Sequence, residues 1–125
     1  MRAYTVKAAA VALKASPKWV DNVLSHHKVP GVTRKRQGVT RRVSSEAMLV
    51  LEIALRIMRS FGVPIGRALQ VAGSVVEMRA DAAGVEVASG FSLMVDIAAI
   101  EAELAERLAH AVEVSPSPRR GRPPR

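Results

Sequence analysis

The sequence predicts a mainly α-helical fold with two small β elements, and three observations predict it. Hydrophobic residues make up 49% of the 125 residues but aromatics only 3%, so the core must be aliphatic and alanine-rich, a mixture that favours helices over sheet. Apolar residues recur at helical spacing in several separate stretches. Ser, Thr, Asp, Pro and Gly stand at the ends of those stretches, where helices start and stop. A chain of this length suits one compact domain with appendages.

The first helix is expected from about Val6 to Lys14, with Thr5 as its N-cap. Val6, Ala9, Ala10 and Leu13 fall at i, i+3, i+4 and i+7 and form one buried stripe. After Ala15, Ser16 is a second N-cap, and Pro17 takes the first helical position, where a missing N–H costs nothing. This second helix should reach His26 or His27, with Val20, Val23 and Leu24 turned inward and Pro30-Gly31 ending it. The chain is then basic as far as Val43. Gln37-Gly38 is the expected turn of this stretch, and Val32, Val39 and Val43 are expected to supply the short strands of a small β-wing.

Ser44 or Ser45 caps a long third helix that runs to about Phe61, with Glu46 near its positive end. Met48, Leu49, Val50, Leu51, Ile53, Leu55, Ile57 and Met58 make it apolar on most sides, so more than one neighbour should bury it. Glu52 and Arg56 form an i,i+4 pair on the side that remains. Gly62 stops this helix and Pro64 opens a fourth, with Ile65, Ala68, Leu69 and Ala72 on its inner face. Residues 85–87 and 91–95 flank Ser89-Gly90 as a β-hairpin. Asp96 caps a last helix to about Val112. Its apolar positions Ile97, Ile100, Leu104, Leu108 and Ala111 make a coiled-coil-like seam. Such a seam either docks on its own domain or meets a partner. The expectation is a dimer or partner interface formed by Phe91, Ile97, Ile100, Leu104 and Leu108.

Helix, turn, helix and basic loop, in that order, outline a winged helix-turn-helix, followed here by a β-hairpin and a C-terminal helix. Charge is sorted along the chain. Residues 1–62 hold 12 Lys and Arg against 3 Asp and Glu, residues 63–114 hold 3 against 8, and residues 115–125 hold 4 against none. Two basic ends around an acidic middle suit binding of a polyanion. The organisation expected is a DNA-binding domain over 1–76, a dimerisation or partner-binding segment over 77–114, and a disordered basic tail over 115–125, where four prolines and no aliphatic side chain preclude a core element.

The absence of cysteine excludes disulfides, thiol catalysis and cysteine-based zinc sites. Ala8 to Leu13 mimics the apolar core of a signal peptide, but Lys14 interrupts it after six residues. No stretch is long and uncharged enough for a transmembrane helix. His26 and His27 are adjacent and point apart, and His110 is remote, so neither a metal site nor a cofactor is expected. Ser44-Ser45-Glu46 reads as helix capping rather than catalysis, and Glu101, Glu103, Glu106 and Glu113 as a solvated helix face. The chain is expected not to be an enzyme and to reside in the cytoplasm, at the nucleoid.

Thr5-Val6-Lys7-Ala8-Ala9, then Ser16-Pro17-Lys18-Trp19-Val20, then Lys28-Val29-Pro30-Gly31 resemble the N-terminal half of MerR-superfamily and excisionase-like winged helix-turn-helix domains. Arg41-Arg42-Val43-Ser44 resembles the end of their wing, and Phe61-Gly62-Val63-Pro64-Ile65 is similar to the junction between their third and fourth helices. The resemblance covers roughly residues 4–76. It implies a bacterial-type regulator in which Ser16, Pro17 and Lys18 open the recognition helix and the segment 34–42 forms the wing. The chain departs from the pattern at Asp21, Asn22 and Val23, where those proteins usually carry an arginine and aromatics. It also lacks their long dimerisation helix and the cysteines of their metal-sensing members, so metal response is not implied. In the tail, Arg119-Arg120-Gly121-Arg122-Pro123 resembles an AT-hook, in which glycine sits deep in the minor groove and arginines follow its A·T-rich floor.

The expected DNA contacts follow. With Val20, Val23 and Leu24 inward, Lys18, Asn22, Ser25 and His26 face outward. Asn22 carries the donor–acceptor pair that reads adenine, and Lys18 reaches a phosphate or guanine. Ser16 and the helix amides hold a phosphate. Trp19 is either a core anchor or a stacking group. Asp21 should lie off the phosphates or accept from cytosine. Arg34, Lys35, Arg36, Arg41 and Arg42 place five positive charges on nine residues of the wing. The function expected is sequence-specific binding of double-stranded DNA by a homodimeric transcriptional regulator. Its alternatives are an architectural, excisionase-type bending factor, an antitoxin-like autorepressor that binds a protein through residues 63–114, and an interaction module without DNA.

Overall fold

The computed structural model describes residues 3–33, 41–78 and 84–114. They form β1 (Ala3–Thr5), α1 (Val6–Leu13), α2 (Pro17–His26), β2 (Arg42–Ser44), α3 (Ser45–Phe61), α4 (Ile65–Met78), β3 (Val85–Ala88), β4 (Phe91–Leu93) and α5 (Ile97–Val114). The fold is mainly helical, with two small antiparallel sheets, β1-β2 and β3-β4.

The helix starts follow from side-chain chemistry. Thr5, Ser16 and Ser44 each stand in extended backbone and accept a hydrogen bond from the amide three residues on, at 3.0–3.1 Å. Asp96 does the same for Ala99 at 3.0 Å. The stops are equally local. Lys14 adopts a left-handed conformation (φ 57°) and caps α1 one residue earlier than expected, while Gly62 (φ 68°) closes α3.

α3 is the centre of the core. Met48, Leu49, Leu51, Ile53, Ala54 and Leu55 are buried, covered by α4 on one side and by α1 and α5 on others, as its wide apolar surface predicts. α1 lies between α2 and α5. Its inward residues besides Leu13 are Ala8, Ala9, Ala10 and Ala12, all buried, and such small side chains permit close helix approach. α4 buries Ala68, Leu69 and Ala72 as expected and adds Val71, Val75 and Val76, whereas Ile65 is half-exposed.

Three expectations need correction. First, the strand at Val43 is not simply one arm of a wing. β2 pairs along its length with β1, Tyr4 opposite Val43, while Val32 makes a single bridge to Val43 from the other side. β1 is only three residues long and its partner lies some forty residues away, so no local periodicity announces it. Val39 lies outside the described residues. Second, the side of α3 holding Glu52 is not solvent-facing. Glu52 is 3% exposed because α5 covers it. Arg56 Nε donates to Glu52 Oε2 (2.8 Å), and Arg107 of α5 brings Nη2 within 2.9 Å of the same oxygen without hydrogen-bond geometry. Arg56 also reaches Glu103 on α5 at 3.1 Å, and the Glu52 hydrogen bond raises its already high pKa further.

Third, the seam positions Ile100, Leu104 and Leu108 are not left open for a partner to cover. With Ala111 they are buried against this chain's own α1 and α3, so the seam is filled from within. Ile97 is half-buried against the same core, and Phe91 alone of the five remains largely exposed. No helix among the described residues is long and apolar enough to cross a membrane.

Candidate nucleic-acid interface

α1 and α2 meet through the turn Lys14-Ala15-Ser16 and pack on each other. Val20, Val23 and Leu24 anchor α2 in the core, and Trp19 is half-buried against it, the position of a rim anchor. Helical geometry then turns Lys18, Asn22 and Ser25 to one outer face, and all three are exposed. Ser16 is exposed at the N-terminus, where its hydroxyl holds the Trp19 amide at 3.0 Å.

Two of the outward residues are tied to their own helix. Ser25 donates its hydroxyl proton to the Asp21 carbonyl (2.8 Å). His26 Nδ1 lies 2.8 Å from the Asn22 carbonyl. A carbonyl only accepts, so Nδ1 is the donor of this contact. Lys18 and Asn22 are the side chains best placed to reach a ligand.

Arg41 behaves differently from the sequence reading. Its guanidinium forms an ion pair with Asp21 of α2, and its side chain is only 11% exposed. Asp21 thus has a partner within the chain. It holds the far end of the basic segment onto the helix. Arg42 is half-buried in β2. Its amide donates to Thr33 Oγ1 (2.8 Å), and its carbonyl accepts from the Thr33 amide (2.9 Å). The Ser44 amide donates to the Gly31 carbonyl at 2.9 Å. Residues 31–33 and 42–44 are therefore bonded to each other just after the C-terminal end of α2. Arg34, Lys35 and Arg36 lie outside the described residues, as do Arg119, Arg120, Gly121, Arg122 and Pro123.

An open cleft of about 680 Å³ runs along this junction, bordered by His26, His27, Lys28, Pro30, Thr33 and Arg41. Sequence reasoning missed Lys28 and Thr33 here. Lys28 is a lone cation beyond the helix end, and Thr33 matters only through its bonds to Arg42, nine residues away. Among the described residues, no three His, Asp or Glu side chains gather as metal ligands would. Comparison with family models, curated proteins and solved structures finds no match to the chain.

Proposed function

We propose that this protein binds duplex DNA as a winged helix-turn-helix regulator, with α2 as the reading helix and the basic loop 34–42 on the adjacent backbone. One observation carries the reading. α2 is held by a buried stripe on one side, offers Lys18 and Asn22 on the other, and has the strongly basic loop rooted beside it through Arg41. A rigid helix with an adenine-reading amide supplies sequence choice, and the cations supply affinity that does not depend on sequence. The tail, with four arginines and no acid, adds a second electrostatic tether. One short helix discriminates little, so specificity comes from two copies on two half-sites.

Selection of bound fragments from random duplex DNA tests this, using the full chain and a chain lacking residues 115–125. A common motif recovered with both chains supports the reading, with weaker retention after truncation. Failure to retain any duplex at modest ionic strength overturns it.

A further inference from the structure

With the seam of α5 spent inside the chain, a homodimer needs another surface, and the β3-β4 hairpin offers one. The two edges of this hairpin differ. On β3, the Val87 carbonyl is taken by Arg67 Nη2 of α4 (2.6 Å), and α4 packs alongside. On β4, the Leu93 carbonyl lies on the β3 side, its oxygen 3.3 Å from where a Gly84 Cβ would stand, next to its register partner Val85. Antiparallel alternation then turns the amide and carbonyl of Ser92 outward. Among the described residues, no backbone hydrogen bond covers that outer edge.

The edge also lacks the usual protection. Residues 89–95, Ser-Gly-Phe-Ser-Leu-Met-Val, contain no charge and no proline. Exposed edges that stay single are generally guarded by lysine, proline or a bulge, and here the bulge lies on the other strand, at Val87. Beside the edge are the most exposed large apolar side chains among the described residues: Phe91 (69%), Met94 (71%) and, across a groove of about 290 Å³ shared with Met94, Phe61 (66%).

The geometry points to a second copy of this chain as the occupant, with β4 pairing antiparallel to β4 of its partner about a two-fold axis near Ser92. Outward backbone groups require an extended strand as partner. An uncharged edge is complementary to an uncharged strand, and the same edge on another copy is one. Antiparallel pairing of a strand with itself is the symmetric, closed solution, which joins two hairpins into a four-stranded sheet and sets the Phe91 side chains of the two copies diagonally across the new strand pair, on one face of it. This inference supplies the dimer that the proposed function requires, yet it stands or falls on association alone.

The test uses the full chain without DNA. Sedimentation equilibrium should give twice the chain mass at tens of micromolar, falling to the monomer mass for Phe91→Lys/Met94→Lys and, separately, for Ser92→Pro. Circular dichroism should show unchanged helix content in both. Because the chain has no cysteine, Ser92→Cys gives a single thiol. It should oxidise to a covalent dimer, whereas Ser74→Cys, exposed on α4, should not. A monomeric wild-type chain overturns the inference, as does a dimer that persists in the double lysine variant and leaves the Ser92→Cys thiol free. A dimer that binds no duplex would leave this interface standing and overturn the DNA reading instead.

Discussion

Asp21 and Arg41, twenty residues apart, form the ion pair that joins α2 to the C-terminal root of the basic segment. The Arg41 side chain is nearly buried and Asp21 is 44% exposed, so solvent screens the pair and its worth to stability is about 1 kcal/mol at most. Its larger consequence is for charge. Asp21→Asn should free Arg41 and raise affinity for every duplex by a few-fold while blurring sequence preference. Fluorescence anisotropy on preferred and scrambled duplexes checks this. Unchanged affinity for both would remove Arg41 from the interface.

The two outward residues of α2 should separate by kind of effect. Lys18→Ala should weaken binding to all duplexes and lower the slope of log affinity against log salt by about 1, the signature of one phosphate contact. Asn22→Ala should change which duplex is preferred, with discrimination falling by about 1–3 kcal/mol at one base pair. Equal selectivity of the Asn22→Ala variant in a fragment selection would remove α2 as the reading helix.

Gly31 is a stability prediction independent of function. It has φ +88°, and a Cβ there would lie 2.2 Å from Ser44 Oγ, the hydroxyl that caps α3. Gly31→Ala should cost about 2 kcal/mol, from left-handed strain together with displacement of the cap. In a Ser44→Ala background the colliding oxygen is gone, so the same substitution should cost less. Urea denaturation of the four chains in that cycle measures the difference. Strict additivity would argue against the collision.

Glu52 is the buried charge on which α3 and α5 converge. Glu52→Ala leaves Arg107 without its carboxylate under the same cover and should destabilise by about 3 kcal/mol. Thermal melts of Glu52→Ala beside Glu103→Ala check this. Glu103 is 60% exposed and shares only the outer part of the network, so its loss should shift stability by less than about 1 kcal/mol.

Much of the helical frame was legible because caps and stripes are local. Thr5, Ser16, Ser44 and Asp96 announce four helix starts within three residues of the bonds they make, and Gly62 one helix end. The hairpin was readable from Ser89-Gly90 between apolar runs. What was not legible depends on residues distant in sequence. β1 is defined by a partner near residue 43, and Glu52 is buried by a helix fifty residues on. The seam of α5 illustrates a deeper limit, since a stripe at coiled-coil spacing looks the same whether its complement is in this chain or in another. In the candidate site, Lys18 and Asn22 were visible from the buried stripe opposite them. Arg41 was visible as a charge, but not as the partner of Asp21.

The alanine face of α1 has a consequence for dissection of the molecule. Both α2 and α5 pack against α1. Cutting the chain before Ile97 would strip α5 from one side of α1 and leave α2 on an unsupported footing. Grafting the first seventy-six residues alone onto another protein would therefore expose that alanine face to solvent.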